Sequence, residues 1–284
     1  MFRRSLFSII RLLPIGRVPL SLALLKLGIY PRTPVRFRHK DGFLMLLDLS
    51  DWVQLVIYLF GDYKYEASEV RLWEKLARQS DQVIDIGAHV GYYSLLAKAA
   101  DPDLQIEVFE PSKTTFKNLS RNVQLNNWDI TINHLALGNK EGVITMNQPD
   151  THNSGMNFMS DAEGMEADVV PLSTWDIHFA GLMSSGKRVL VKIDAEGAEY
   201  QILEGGIKYI SEVKPVIFIE LLNSTLSRFG SDTSKVYDLV VPMGYAFYRL
   251  DENEQLQKCA YGEEGEVLIL VHKDDIGLFW EITE

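Results

Sequence analysis

The chain has 284 residues, 46% hydrophobic and 24% charged, the proportions of an ordinary packed globule, which excludes disorder, collagen-like repeats and low complexity as its main organisation. A single cysteine, Cys259, excludes an internal disulfide and a cysteine-rich zinc site, and no two of the six histidines stand four apart on a helix. The net charge of −11 conceals an asymmetry: nine of the 28 Lys and Arg fall in residues 1–40 with no acid, leaving 19 basic against 39 acidic residues beyond them.

That acidic body is unsuited to nucleic acid, whose phosphates need a basic face. The length fits one α/β domain with an appendage, and the cysteine usage fits a reducing, cytoplasmic compartment.

In chain order, the segment from Phe2 to Tyr30 is apolar but broken by Arg11, Pro14, Arg17, Pro19 and Lys26. It is too interrupted to span a bilayer, which takes roughly 18–20 uncharged residues. Leu6 to Ile10 is also too short for a secretory signal. Two readings are open: a pair of short helices, split at Pro14 and Pro19, covering one edge of the core, or a cationic segment lying peripherally on anionic lipid at the inner face of a membrane through residues 1–40. After the joint at Pro31 to Pro34, Val35 to Leu49 reads as a hairpin around Asp41-Gly42.

A helix is predicted over Glu66 to Arg78, with Val70, Trp73, Leu76 and Ala77 on one stripe. There follow a strand at Gln82 to Ile86, a helix at Tyr92 to Ala100, a strand at Gln105 to Phe109, a helix at Thr114 to Asn126 and a strand at Thr131 to Leu135. Such alternation implies a mostly parallel sheet with right-handed crossovers. Gly142 to Met146 and Ala167 to Pro171 read as extra strands around a polar loop. Arg188 to Ile193, a helix from about Ala198, and Val216 to Ile219 resume the alternation. Tyr245 to Leu250 and Glu266 to His272 suggest an antiparallel pair at the sheet edge.

The first strand runs into Gly87-Ala88-His89-Val90-Gly91, a small-residue loop opening the next helix. Glycines there admit close approach of a ligand to backbone, and the helix start offers free N–H groups. The spacing misses the dinucleotide fingerprint G-x-G-x-x-G, so a pyrophosphate is disfavoured. Glu110, ending the second strand 19 residues beyond Gly91, is placed to accept two ribose hydroxyls.

Asp85, the glycine loop and Glu110, in that order, resemble the class I S-adenosylmethionine-dependent methyltransferases, and specifically the FkbM family. Tyr63-Lys64-Tyr65-Glu66, Val83 to Tyr93, Phe109-Glu110-Pro111, Ala136-Leu137-Gly138 and Lys192 to Glu199 look like its successive motifs, over residues 60–222. One departure is His89, where the family usually has Asn. The resemblance implies a Rossmann-like seven-stranded sheet, mostly parallel with an antiparallel C-terminal pair. It divides the chain into a basic extension of helices and hairpin, 1–62, and a methyltransferase domain, 63–284. It implies S-adenosylmethionine as donor, held at its methionine end by Asp85 and Gly87 with Ala88, His89 and Gly91 around it, at the ribose by Glu110 and at the adenine by Leu135 and Ala136. The acceptor it implies is a hydroxyl oxygen; the polar loop and the acidic body fit a sugar, glycan or related metabolite, with polyketide or peptide-derived acceptors as alternatives.

Tyr92 and Tyr93 offer aromatic faces to the sulfonium, with core packing as the plainer role. Methyl transfer to oxygen needs alignment and removal of a proton. Asp194, at the end of the strand Val189 to Ile193, and Glu196 behind it are candidate bases, against the alternative of capping the following helix. Glu199 fits that helix-start role better, and Glu220 is a weaker pocket candidate. His134 and His152 are further candidate bases, the latter in the polar loop 150–155, whose side chains suit a hydroxyl-rich ligand. No metal ligands are assigned, and binding a divalent ion through oxygen is a further open role for the carboxylates at Asp194. The competing readings are an NAD-linked oxidoreductase, disfavoured by the missing third glycine, and a membrane-associated scaffold that keeps the fold without turnover.

Overall fold

The computed structural model describes residues 2–147, 158–160, 168–181 and 186–275. Helices α1 (Phe2–Arg11) and α2 (Arg17–Lys26) meet at a corner holding Pro14. Pro19, expected to break the segment, instead sits in the first turn of α2, where a missing N–H costs no intrahelical bond. Strands β1 (Val35–Arg38) and β2 (Leu44–Leu47) form the expected hairpin, Val35 opposite Leu47 and Arg38 opposite Leu44.

Next comes α3 (Trp52–Phe60), a helix with no counterpart in the sequence reading, capped by the Asp51 side chain, which accepts from the Gln54 N–H. It has no polar stripe to reveal it, because Leu55 to Leu59 are all buried. Helix α4 (Ala67–Ala77) seals Val70, Trp73 and Leu76 inside.

The alternation then runs β3 (Gln82–Ile86), α5 (Tyr92–Ala100), β4 (Gln105–Phe109), α6 (Lys113–Asn126) and β5 (Thr131–Asn133). The chain leaves this sheet for a second, made of β6 (Ala136–Gly138), β7 (Gly142–Asn147), β8 (Phe158–Ser160) and β9 (Asp168–Thr174) in the order β6-β9-β7-β8. After α7 (Trp175–His178) it returns through β10 (Val189–Ile193), α8 (Glu199–Glu204), α9 (Ile207–Val213) and β11 (Val216–Leu221). It ends with α10 (Asn223–Leu226), α11 (Thr233–Val240), β12 (Tyr245–Leu250), β13 (Leu256–Lys258) and β14 (Gly265–His272).

The main sheet has the order β13-β12-β14-β11-β10-β3-β4-β5. Its five strands from β5 to β11 are parallel, and β14 and β12 pair antiparallel beyond them. The seven expected strands are present, and the three-residue β13 adds an eighth at the edge. Strand alternation sorts residues onto the two faces. Val83, Leu190 and Phe218 enter the core shared with α4 and α5, whereas Ile84, Val191 and Ile217 enter the core beneath α8, α9 and α11. Phe7, Ile10, Phe37 and Met45 of the N-terminal extension belong to the first of these cores.

Strand order reverses between β3 and β10, the point at which parallel sheets open a crevice beyond their carboxyl ends. Among the described residues no helix is long and apolar enough to cross a membrane.

Candidate active site

A cavity opens at this reversal, with walls from the ends of β3, β4, β10 and β11, the loop after β5, and the start of α3. It brings together Asp85, Gly87, Ala88, His89, Tyr92, Glu110, Leu135, Ala136, Asp194 and Glu196. Gly91 and His134 are not in its lining. Gly91 opens α5 with φ +84°, and a Cβ there would stand 2.6 Å from the Leu119 methyl, so its smoothness serves the packing of α5 on α6. His134 is turned aside, its Nε2 3.0 Å from the Pro111 carbonyl and its ring against Phe116. The loop 150–155 with His152 lies outside the described residues.

The loop after β3 is built backbone against backbone. The Gly87 and Ala88 N–H groups both donate to the Phe109 carbonyl. The φ of Gly87 is +79°, and a Cβ on it would fall 1.8 Å from the Asp194 carbonyl oxygen, a position no side chain can take. Glu110 ties the neighbouring loops together: one carboxylate oxygen accepts from the His89 N–H at 2.9 Å, the other from the Ser112 N–H at 2.8 Å. Burial pushes its carboxyl up to about 8, against the pull of those two donors. Asp85 is sealed at 1% exposed. One of its oxygens accepts from the Ser94 hydroxyl, and the other has no hydrogen-bond partner among the described residues. Burial raises its carboxyl above the ordinary range, against the attraction of Lys192.

Lys192 had no role assigned from the sequence. It stands between Asp85 on β3 and Phe218 on β11, the one charged residue of the apolar strand β10. Its ammonium is 2.6 Å from an Asp194 oxygen and 4.7 Å from the centre of the Tyr93 ring. Burial alone would drive it toward neutrality, but Asp194, Glu66 and Asp85 outweigh that and hold it firmly charged. Glu66, likewise missed, accepts from the Tyr93 hydroxyl, while the Tyr92 hydroxyl donates to Asp62. The spacing signal for Lys192 was available: a lone lysine inside Val189-Leu190-Val191-Lys192-Ile193, a strand buried throughout, must find anions. Trp52, Tyr63 and Met146 also line the cavity and give no such signal.

Beyond β10 the carboxylates crowd. Glu196 has a left-handed backbone, φ +54°, and sits 3.6 Å from Arg228. Burial and the neighbouring Asp194 push its carboxyl up to about 7, with Arg228 acting the other way. Glu199 turns inward to accept from the Ala195 and Gly197 N–H groups at 2.8 and 3.2 Å, which fixes the loop carrying Asp194 and Glu196. Glu220, at the end of β11, is pushed up to about 9 by burial and by Asp194, Glu196 and Glu199. Among the described residues no group of His, Cys, Asp and Glu is arranged to hold a metal ion.

This geometry is the setting for a comparison with known proteins. Residues 85–247, more than half of the chain, match the FkbM methyltransferase domain. The chain belongs to the FkbM methyltransferase family. That family is one of methyltransferases, and S-adenosylmethionine is its cofactor.

Among solved structures, an FkbM methyltransferase from Methylobacillus flagellatus is 17% identical, with 89% of this chain and 58% of that one covered and a TM-score of 0.43. This chain therefore spans little more than half the length of that relative. An S-adenosylmethionine-dependent methyltransferase from Agrobacterium tumefaciens is 10% identical, covering 86% and 72%, with a TM-score of 0.44. A tRNA (uracil-54, C5)-methyltransferase from Pyrococcus abyssi, solved with S-adenosylhomocysteine, is 15% identical, covering 86% and 44%, with a TM-score of 0.39. No curated protein matches the chain.

Proposed function

We propose that this methyltransferase acts on a hydroxyl oxygen of a sugar, glycan or related polar metabolite. The observation that carries the reading is the pair of carboxylates Asp194 and Glu196 on one cavity wall, where burial and the neighbouring Asp194 push the Glu196 carboxyl up to about 7. A base works best when its pKa lies near the working pH, and a hydroxyl acceptor must give up its proton as the new bond forms. Acceptors that need no base, such as a thiolate, would not call for such a group.

The cavity suits the methyl donor, a cation at its sulfonium and at its amino group. Asp85 presents a buried oxygen with no partner among the described residues, which an ammonium would satisfy. Tyr92 and Tyr93 line the wall with aromatic rings, whose faces attract a cation. Glu110 stays tied to His89 and Ser112 through single bonds on each oxygen, leaving lone pairs for ribose hydroxyls, and Leu135 and Ala136 offer an apolar slot for the base. Gly87, Ala88 and His89 supply the close backbone. When bound, S-adenosylmethionine supplies an activated methyl group to an in-line acceptor.

The chain's own work is then to align and to take a proton. Asp194, ion-paired with Lys192, orients the acceptor hydroxyl, and Glu196 receives the proton. With deuterated donor and pools of hydroxylated acceptors, mass spectrometry should find label in a methyl ether. Glu196→Gln should lower turnover by roughly 10²–10⁴ while donor affinity survives. Label on nitrogen or carbon, or full turnover in both Glu196→Gln and Asp194→Asn, would refute the reading.

A further inference from the structure

The first forty residues present a surface the transfer site does not use. Helix α1 seals Phe7 and Ile10 in the core and turns Arg4, Ser5 and Ser8 outward together with Ile9, which is 60% exposed; Leu12, just beyond its end, is 81% exposed. A surface helix that serves only to cover a core turns its polar side outward. Helix α2 departs from this, burying Ser21 and exposing Leu20 and Leu22. The corner between them carries Ile15 at 83% exposed. Of the thirteen large hydrophobic residues exposed among the described residues, six fall between Ile9 and Leu27, a concentration in this segment that scattered single exposures would not give.

The charge around that segment is of one sign. Among the described residues, no Arg or Lys before His39 is ion-paired to a carboxylate. A shallow recess beside Leu12 is walled by Ser8, Arg11 and Arg17 together with Tyr58 and Phe60, and no acid lines it. Everything beyond residue 40 carries about −20. A negatively charged surface therefore repels the body and attracts this end, which fixes the orientation of approach within a Debye length of roughly 10 Å.

We propose that α1, the corner at Ile15 and α2 form a docking surface for an anionic lipid bilayer. Leu12 and Ile15 enter the boundary between headgroups and acyl chains, and Arg11 and Arg17 meet lipid phosphates in the recess. Helix α3 links this surface to the transfer cavity. Its first residues, Trp52 and Val53, line the cavity, and its last, Leu59 and Phe60, line the recess, one helix of about 13 Å away. The inference rests on these surface residues and stands whether or not the acceptor is a hydroxyl.

The test is cosedimentation of the full chain with vesicles of phosphatidylcholine alone and of phosphatidylcholine mixed equally with phosphatidylglycerol. Binding to the mixed vesicles, weakened by added salt, is expected. Leu12→Glu with Ile15→Glu should lower partitioning at least about tenfold, and Arg4→Glu with Lys26→Glu, both exposed, should lower it severalfold. Melting temperature and S-adenosylmethionine binding of each variant show that it is folded. Equal partitioning onto both vesicle types, or parental partitioning by the Leu12/Ile15 variant, would overturn the proposal. So would a self-associated protein that ignores both vesicle types and that the same variant converts to monomer, since the surface would then belong to a second copy.

Discussion

Lys192 is the residue on which the charge balance of the cavity turns. It lies at 8% exposed with Asp194, Asp85 and Glu66 disposed around its ammonium, and it has the Tyr93 ring beneath it. Replacing it by Met preserves length and apolar stem but leaves buried carboxylates with no cation, and breaking such a set by removing one partner costs about 3–5 kcal/mol. The cost depends on pH with a definite sign. Without Lys192 the nearby carboxyls are pushed further up, so the folded state binds protons more tightly than the unfolded chain, and lowering the pH neutralises the orphaned charge. Urea melts of Lys192→Met should therefore show the full deficit near neutrality and a smaller one near pH 5. A deficit under about 1 kcal/mol at neutral pH would mean that water, not the lysine, balances these acids.

At the scale of elements, the hairpin is attached to α6 by side chains standing in for a strand. The Leu46 N–H donates to the Asn122 side-chain oxygen at 2.7 Å, and the Leu44 N–H to that of Asn126 at 2.8 Å. The Asn122 amide nitrogen also donates to the Val90 carbonyl at 3.0 Å, so one buried asparagine on α6 joins β2 to the loop after β3. Asn122→Ala strands a buried donor and a buried acceptor at about 1–3 kcal/mol each. A loss of about 2–4 kcal/mol in denaturant melts is expected, with weaker donor binding because the loop loses its anchor. A loss within error would place these bonds outside the energetics of the fold.

This clamp is also where the sequence stops being legible. Strands β3 and β4 and helix α5 begin and end as read, because β-branched runs and a glycine loop are local signals. Helix α3 was not legible, since a helix buried on nearly every side shows no 3.6-residue contrast. The second sheet was half legible: β7 and β9 were visible as strands, but the step from β5 to β6 depends on pairing with β9, a partner some 35 residues away. At the site, Asp85, Glu110 and Asp194 could be placed because each lies within one residue of the end of a recognisable strand. The turning aside of His134 toward Pro111 could not, since it depends on a contact across 23 residues.

Across the whole molecule, acids whose carboxyls are raised by burial gather in and directly behind one cavity. Glu110 is pushed up to about 8, Glu196 and Glu199 to about 7, and Glu220 to about 9, and Asp85 and Glu66 are raised in the same direction. For each, the folded state binds a proton more tightly than the unfolded chain, so its contribution to stability is complete below the ordinary glutamate value and is lost as pH rises through the folded one. Asp62 acts oppositely, held below the ordinary range by His39, Lys40 and Tyr92 despite its burial, but its loss falls only in acid. The melting temperature of the ligand-free protein should thus fall by roughly 5 °C or more between about pH 5 and pH 9. A cationic donor reverses the preference, because it favours the ionised carboxylates. Its affinity should rise with pH over the same window, with release of protons measurable by calorimetry in buffers of different ionisation heat. A flat melting profile, or affinity that falls as pH rises, would show that the cavity acids are already ionised before the donor arrives.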